Sequence, residues 1–299
     1  MLRSWKIGRA FGIDIFVHWS FVILPMVIIY STKAYTLTTA AFALVLTALF
    51  ATIIVMHEFG HIFMARAFGI GTRDIILTPL GGMARMERMS EKPLEEILIS
   101  VAGPAVNVVL AAMFLVLVGL LIRPEDLTAI APSGSGAIEG WRQLMIALLV
   151  ANVFMGFFNM LPAFPMDGGR VFRAVLSTFT DRVLATTIAV YVGNVVIGLV
   201  GLAFFATGTI LALPLAVFIA FIGHMELMMV KRIDAHRRQA EYERQWRDEA
   251  DWPDDAAVGV VTLAPPEPGF SGYSWDARGS AWIEWRDGRP VRASQMRAG

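Results

Sequence analysis

The sequence contains no cysteine. That absence excludes disulfides, thiolate metal ligands and a cysteine nucleophile together, so any metal centre has to be built from His, Asp or Glu. Charge is scarce too: Asp, Glu, Lys and Arg make up 17% of 299 residues and cancel to a formal net charge of +0. With no basic excess there is no electrostatic footprint for nucleic acid, and none is expected as a partner. What fills the composition is apolar, with 56% hydrophobic residues and a mean hydropathy of +0.61. The balance is too apolar for an ordinary soluble domain and predicts a polytopic membrane protein whose surroundings are the lipid bilayer.

The apolar runs predict an all-α membrane protein with about six transmembrane helices, near 18–30, 38–65, 94–122, 141–161, 184–205 and 209–230. The first is short, with Pro25 inside it. Arg3, Lys6 and Arg9 ahead of it have the charge of a secretory signal. Gly12 and Asp14 interrupt that pattern and no small-residue cleavage site follows Tyr30, so a retained span is expected. Residues 5–17 alternate loosely (Ile7, Phe11, Ile13, Ile15, Val17) with glycines at 8 and 12, which predicts a small membrane-associated hairpin. His18 and Trp19 read as an interfacial anchor.

Residues 69–90 hold short β-prone pieces around Pro79, Gly81 and Gly82. They form either a plain connection or an edge strand whose glycines let another backbone come close. Residues 123–139 read as a polar loop. Residues 231–252 are densely charged and suit a helix extending the last span. Residues 253–299, with an Asp287-Gly288 turn, are too few for a sizeable independent core. Lys and Arg cluster at the N-terminus, in 66–92, in 170–182 and after 230, while the other loops hold only Lys33, Arg123 and Arg142. By the positive-inside rule, six spans in a cell membrane then put both termini in the cytoplasm.

The chemistry gathers at His57-Glu58-Phe59-Gly60-His61, within the second apolar run. Residues four apart project from one helical face, so His57 and His61 can offer two imidazole nitrogens to one zinc ion, with the Glu58 carboxylate beside them to take a proton from water. Ionisable groups inside an apolar helix are costly unless paired or metal-bound, which argues against a merely solvated His/Glu face. A second break, Asn159-Met160-Leu161-Pro162-Ala163-Phe164-Pro165-Met166-Asp167-Gly168-Gly169-Arg170, follows the fourth run. Asp167 is the best third ligand there, the alternative being a turn cap before the next helix. Asn107, in Ala102-Gly103-Pro104-Ala105-Val106-Asn107, reads equally as an interhelical hydrogen bond or a site residue.

These residues resemble the site-2 protease family of intramembrane zinc metalloproteases, related to peptidase family M50. The resemblance rests on His57-Glu58-Phe59-Gly60-His61 and Asn159-x-x-Pro162-x-x-Pro165-x-Asp167-Gly168, with weaker support from Leu80-Gly81-Gly82 and Ala102-Gly103-Pro104-x-x-Asn107. It implies zinc ligands His57, His61 and Asp167, one zinc per chain, Glu58 as general base, and a metalloprotease core over 1–230 followed by a charged cytosolic helix and tail over 231–299. It further implies a single-span membrane protein as substrate, cut near the cytosolic face, often to release a regulatory protein. Gly81 and Gly82 are then candidates for capturing the substrate, with Asn107 and Asn159 as donors to its backbone. No loop is long enough for the PDZ insertion of some members, and 231–299 is too short for the paired CBS domains of others. A metal transporter or a non-catalytic scaffold are the rival classes. A transporter predicts ionisable residues at several depths and usually an internal repeat, and a scaffold gives no reason for Glu58.

Overall fold

The computed structural model describes residues 4–31, 36–79, 81–88, 90, 92–121, 140–210, 212–249, 267, 269–276 and 281–295. The chain divides into two compact units, Met1–Met228 and Met229–Gly299.

The first unit opens with β1 (Ser4–Ala10) and β2 (Ile13–His18), an antiparallel hairpin in which Ala10 pairs with Ile13. Its two-residue turn requires positive φ at both centres, taken up by Phe11 (φ 50°) and Gly12 (φ 81°). His18 caps a short 3₁₀ turn, Trp19–Val22, its Nδ1 accepting from Ser20 N at 3.3 Å, and α1 (Ile23–Ser31) follows. Next comes α2 (Leu37–Ala67), opened by reciprocal capping between Thr36 and Thr39. It closes at Gly69 (φ 70°), where Gly69 N bonds Arg66 O and Ile70 N bonds Ala65 O, both at 3.0 Å.

A second hairpin, β3 (Thr72–Thr78) and β4 (Gly81–Met86), is joined to the first by parallel pairing of β2 with β3. One four-stranded sheet results, in the order β1-β2-β3-β4. The sequence predicts a small hairpin and a separate 69–90 segment; their union into one sheet is a correction in size and connectivity. The alternation turns Ile13, Ile15, Ile75 and Leu77 onto a core with Ile54, Phe59 and Ile62 of α2. Asp14 and Asp74 fall on the opposite face, paired with Lys6 at 2.7 Å and with Arg85. Register is therefore fixed, because a one-residue slip would turn both aspartates onto the apolar face.

Among the described residues the remaining helices are α3 (Pro93–Leu121), α4 (Gly140–Asn159), α5 (Asp167–Leu176), α6 (Arg182–Ala206) and α7 (Ala212–Glu249). α3 packs against α2, α4 and α5. Six spans are expected from the sequence, and among the described residues four helices are long and apolar enough to cross a membrane: Leu37–Ala67, Pro93–Leu120, Arg182–Ala206 and Ala212–Tyr242. Among the described residues two further apolar stretches are shorter, Trp19–Tyr30 and the Leu144–Asn159 part of α4; the first reaches only about 18 Å at 1.5 Å per residue against a hydrocarbon core of about 30 Å, whereas the whole of α4, 20 residues, reaches about 30 Å. The protein is a multi-pass membrane protein. Between α4 and α5 the break at 160–166 is gripped by glycines: a Cβ on Gly168 would overlap the carbonyls of Met160 and Leu161, and one on Gly193 of α6 would lie 3.0 Å from Pro162 O. The expected loop 123–139 and Leu80 lie outside the described residues.

The second unit contains the charged end of α7 and a three-stranded antiparallel sheet of β5 (Gly272–Asp276), β6 (Ala281–Arg286) and β7 (Arg289–Gln295). Asp287 (φ 52°) and Gly288 (φ 76°) form the turn between β6 and β7, and Ile283 and Trp285 are buried.

Candidate metal centre

One turn apart on α2, His57 and His61 bring their Nε2 atoms to 3.1 Å from each other. Asp167, the first residue of α5, places Oδ2 at 3.2 Å from both. All three side chains are buried, and among the described residues this is the one group of three or more His, Asp or Glu able to hold a metal ion. The capping alternative for Asp167 does not hold, since the helix cap is Met166.

Hydrogen bonds at the far nitrogens set what the near ones can do. His61 Nδ1 meets the backbone oxygen of Ile99 at 2.7 Å, and His57 Nδ1 meets Asn107 Oδ1 at 2.6 Å. Both oxygens only accept, so both Nδ1 atoms carry the proton and both Nε2 lone pairs point inward. Asp167 Oδ2 is buried with no hydrogen-bond donor. Three acceptors facing one another without a proton between them repel unless a cation lies among them. Tetrahedral zinc at 2.0–2.1 Å from its ligands sets those ligands roughly 3.3 Å apart, close to the spacing here, so the residues fit the ion. The backbone of α3 closes one side: a Cβ on Gly103 would overlap the imidazoles of His61 and His57.

Glu58 is buried beside the ligands in sequence, and its Oε2 accepts from Ala84 N of β4 at 3.0 Å. Gly82 is required there, since a Cβ would overlap the Glu58 side chain. Gly81 and Gly82 open β4, which is one of the two edge strands of its sheet. Asn107 uses both ends of its amide inside the protein, Oδ1 on His57 and Nδ2 on Asn152 at 3.1 Å. It is thus an interhelical bond and part of the centre at once. Asn159 Nδ2 donates to Met155 O in its own helix at 3.0 Å, and among the described residues it is not bonded to the ligands.

Several contributors escape the sequence reading. Arg173 of α5 is fully buried, bonded to Glu96 of α3 and to Glu226 of α7 at 2.8 Å, with its guanidinium 4.9 Å from the Phe164 ring centroid. Arg182 adds a second cation on Glu96 at 3.2 Å. This group ties the helix carrying Asp167 to two others. Its signal was present in the sequence as isolated charges in or beside apolar runs. Ile99 had no signal, because it acts through its backbone oxygen.

The sequence profile of peptidase family M50 matches residues 45–203. A zinc metalloprotease of Methanocaldococcus jannaschii is 31% identical over 194 residues, covering 65% of this chain and 52% of the relative. The chain spans about half the length of the curated relatives it matches. Among solved structures, a site-2 protease from Methanocaldococcus jannaschii superposes with a TM-score of 0.55 at 29% identity, covering 75% of this chain and 95% of that one.

Proposed function

Because the chain belongs to peptidase family M50, we propose that it is an intramembrane zinc metalloendopeptidase that cuts the transmembrane segment of a single-span membrane protein near the cytosolic face. The observation that carries this reading is the convergence of three buried acceptors, His57 Nε2, His61 Nε2 and Asp167 Oδ2, with the Glu58 carboxylate adjacent in sequence to the first. Three protein ligands leave a fourth position open, the catalytic rather than the closed structural pattern. Zinc held there would supply Lewis acidity, polarising the scissile carbonyl and acidifying a water.

The chain's own residues handle proton and substrate. Glu58 is the general base: it takes the water proton and returns it to the leaving amine. Its bond to Ala84 N aims the carboxylate before substrate arrives. A helical substrate hides its carbonyls in i to i−4 bonds and has to unwind locally. The outer edge of β4, where Gly81 and Gly82 leave room, suits capture of the unwound stretch as an added strand. Asn159, at the end of α4, is a donor to the substrate backbone once its amide turns from Met155 O. Asn107 is assigned to holding His57. Residues 1–230 form the catalytic core; 231–299 form a cytosolic helix and tail, with both termini in the cytoplasm of a cell-membrane protein, by the distribution of Lys and Arg.

The test is cleavage of a membrane-embedded single-span protein by purified enzyme in detergent, with zinc measured per chain. Chelator-sensitive cleavage with about one zinc per chain is expected. Full zinc in a His57→Ala/His61→Ala variant would place the metal elsewhere and end this reading.

A further inference from the structure

Of the two histidines, His61 is oriented by a backbone carbonyl, which cannot turn over. His57 is oriented by a side-chain amide, which can. The ends of an Asn amide are alike in shape and opposite in hydrogen bonding, so a flip of Asn107 would present N–H groups to His57 Nδ1. That would favour the imidazole tautomer with its proton on Nε2, where the ligand lone pair is needed.

We propose that Asn152 is a positioning residue that prevents this flip and thereby sets the affinity of the centre for zinc. The inference rests on the reading of His57, His61 and Asp167 as the zinc ligands. Asn152 lies on α4, fully buried, and among the described residues its amide bonds Leu148 and Asn107 rather than a ligand or Glu58. Its Nδ2 donates to Leu148 O at 2.8 Å, one turn back on its own helix. A carbonyl only accepts, so Asn152 Oδ1 is forced to the other side, where it accepts from Asn107 Nδ2 at 3.1 Å. Asn107 Oδ1 is then forced toward His57 Nδ1 at 2.6 Å. A fixed backbone oxygen on α4 thus decides, through two amides, which nitrogen of an imidazole on α2 carries the proton. Each step is unambiguous because each oxygen lacks a hydrogen to give. Outer partners of metal-bound histidines commonly contribute about 10- to 100-fold to metal affinity.

An asparagine that only glues α4 to α3 is the competing account, and a double-mutant cycle separates the two. Zinc affinity is measured by competition with a chelator, in detergent, on the full chain. The proteins are wild type, Asn152→Leu, Asn152→Ala, Asn107→Asp and Asn107→Asp/Asn152→Leu. A carboxylate at 107 accepts at both ends and has no wrong orientation. The expected result is that Asn152→Leu and Asn152→Ala weaken zinc binding about 10- to 100-fold, while Asn152→Leu changes it less than about threefold when Asn107→Asp is already present. Wild-type affinity in either Asn152 variant overturns the proposal, and so does an equal loss with and without Asn107→Asp. Should Asn152→Leu fail to fold, Asn152→Ala alone and combined with Asn107→Asp completes the same cycle. A wild-type protein without zinc would instead overturn the ligand assignment, and this inference with it.

Discussion

The hydrogen atom at Gly103 leaves room for the Nε2 atoms of His57 and His61 where a methyl group would overlap them. Gly103→Ala is therefore expected to reduce zinc per chain toward that of the His57→Ala/His61→Ala variant with helix content unchanged, measured by elemental analysis alongside circular dichroism. Full zinc in Gly103→Ala would mean the imidazoles do not meet against α3. At this scale the sequence discloses residues whose chemistry is in the side chain. His57, Glu58, His61 and Asp167 are legible because imidazoles and carboxylates are expensive in an apolar run without a task. Asn107 is legible as polar, but which of its ends does what depends on Asn152, 45 residues further along the chain on another helix. Gly103 reads only as small, and Ile99 reads only as apolar, since its carbonyl has no sequence signature.

Among the elements, α5 matters most to the centre, because it carries Asp167 and is short. It is held by Arg173, whose charge is buried between Glu96 and Glu226 and shared with Arg182 on Glu96. Removing one member of a buried ionic group leaves its partner without compensation, which costs about 3–5 kcal/mol. Arg173→Met is thus expected to lower the thermal unfolding midpoint in detergent, and adding Glu96→Gln should recover part of the loss. An unchanged midpoint in Arg173→Met would show that α5 is held by packing alone. The helices were legible from unbroken apolar runs and the strands from alternation, but not the joining of β2 to β3. Periodicity marks a strand without naming its partner, and 14–17 and 74–77 are brought together only by the intervening α1 and α2. Of the six expected spans, Trp19–Tyr30 is the one whose helix falls well short of the bilayer, whereas α4, at 20 residues, reaches about 30 Å.

At the scale of the whole molecule, every residue assigned to chemistry falls in the first compact unit, Met1–Met228. Truncation after residue 252 is accordingly expected to leave zinc content and cleavage of a purified substrate within about twofold of wild type, as expected of a change away from the site; loss of zinc on truncation would contradict this. The central claim is that the molecule is an enzyme and not a metal carrier or a scaffold, and Glu58 decides it. Glu58→Gln keeps the size of the side chain and an acceptor for Ala84 N while removing the base. The direct measurement follows a membrane-embedded substrate by gel, comparing wild type, Glu58→Gln and chelator-treated protein, with zinc and bound substrate assayed in the same samples. The account predicts that Glu58→Gln binds zinc and captures substrate like wild type but cuts it about 10²- to 10⁴-fold more slowly. Cleavage by Glu58→Gln at the wild-type rate would contradict it.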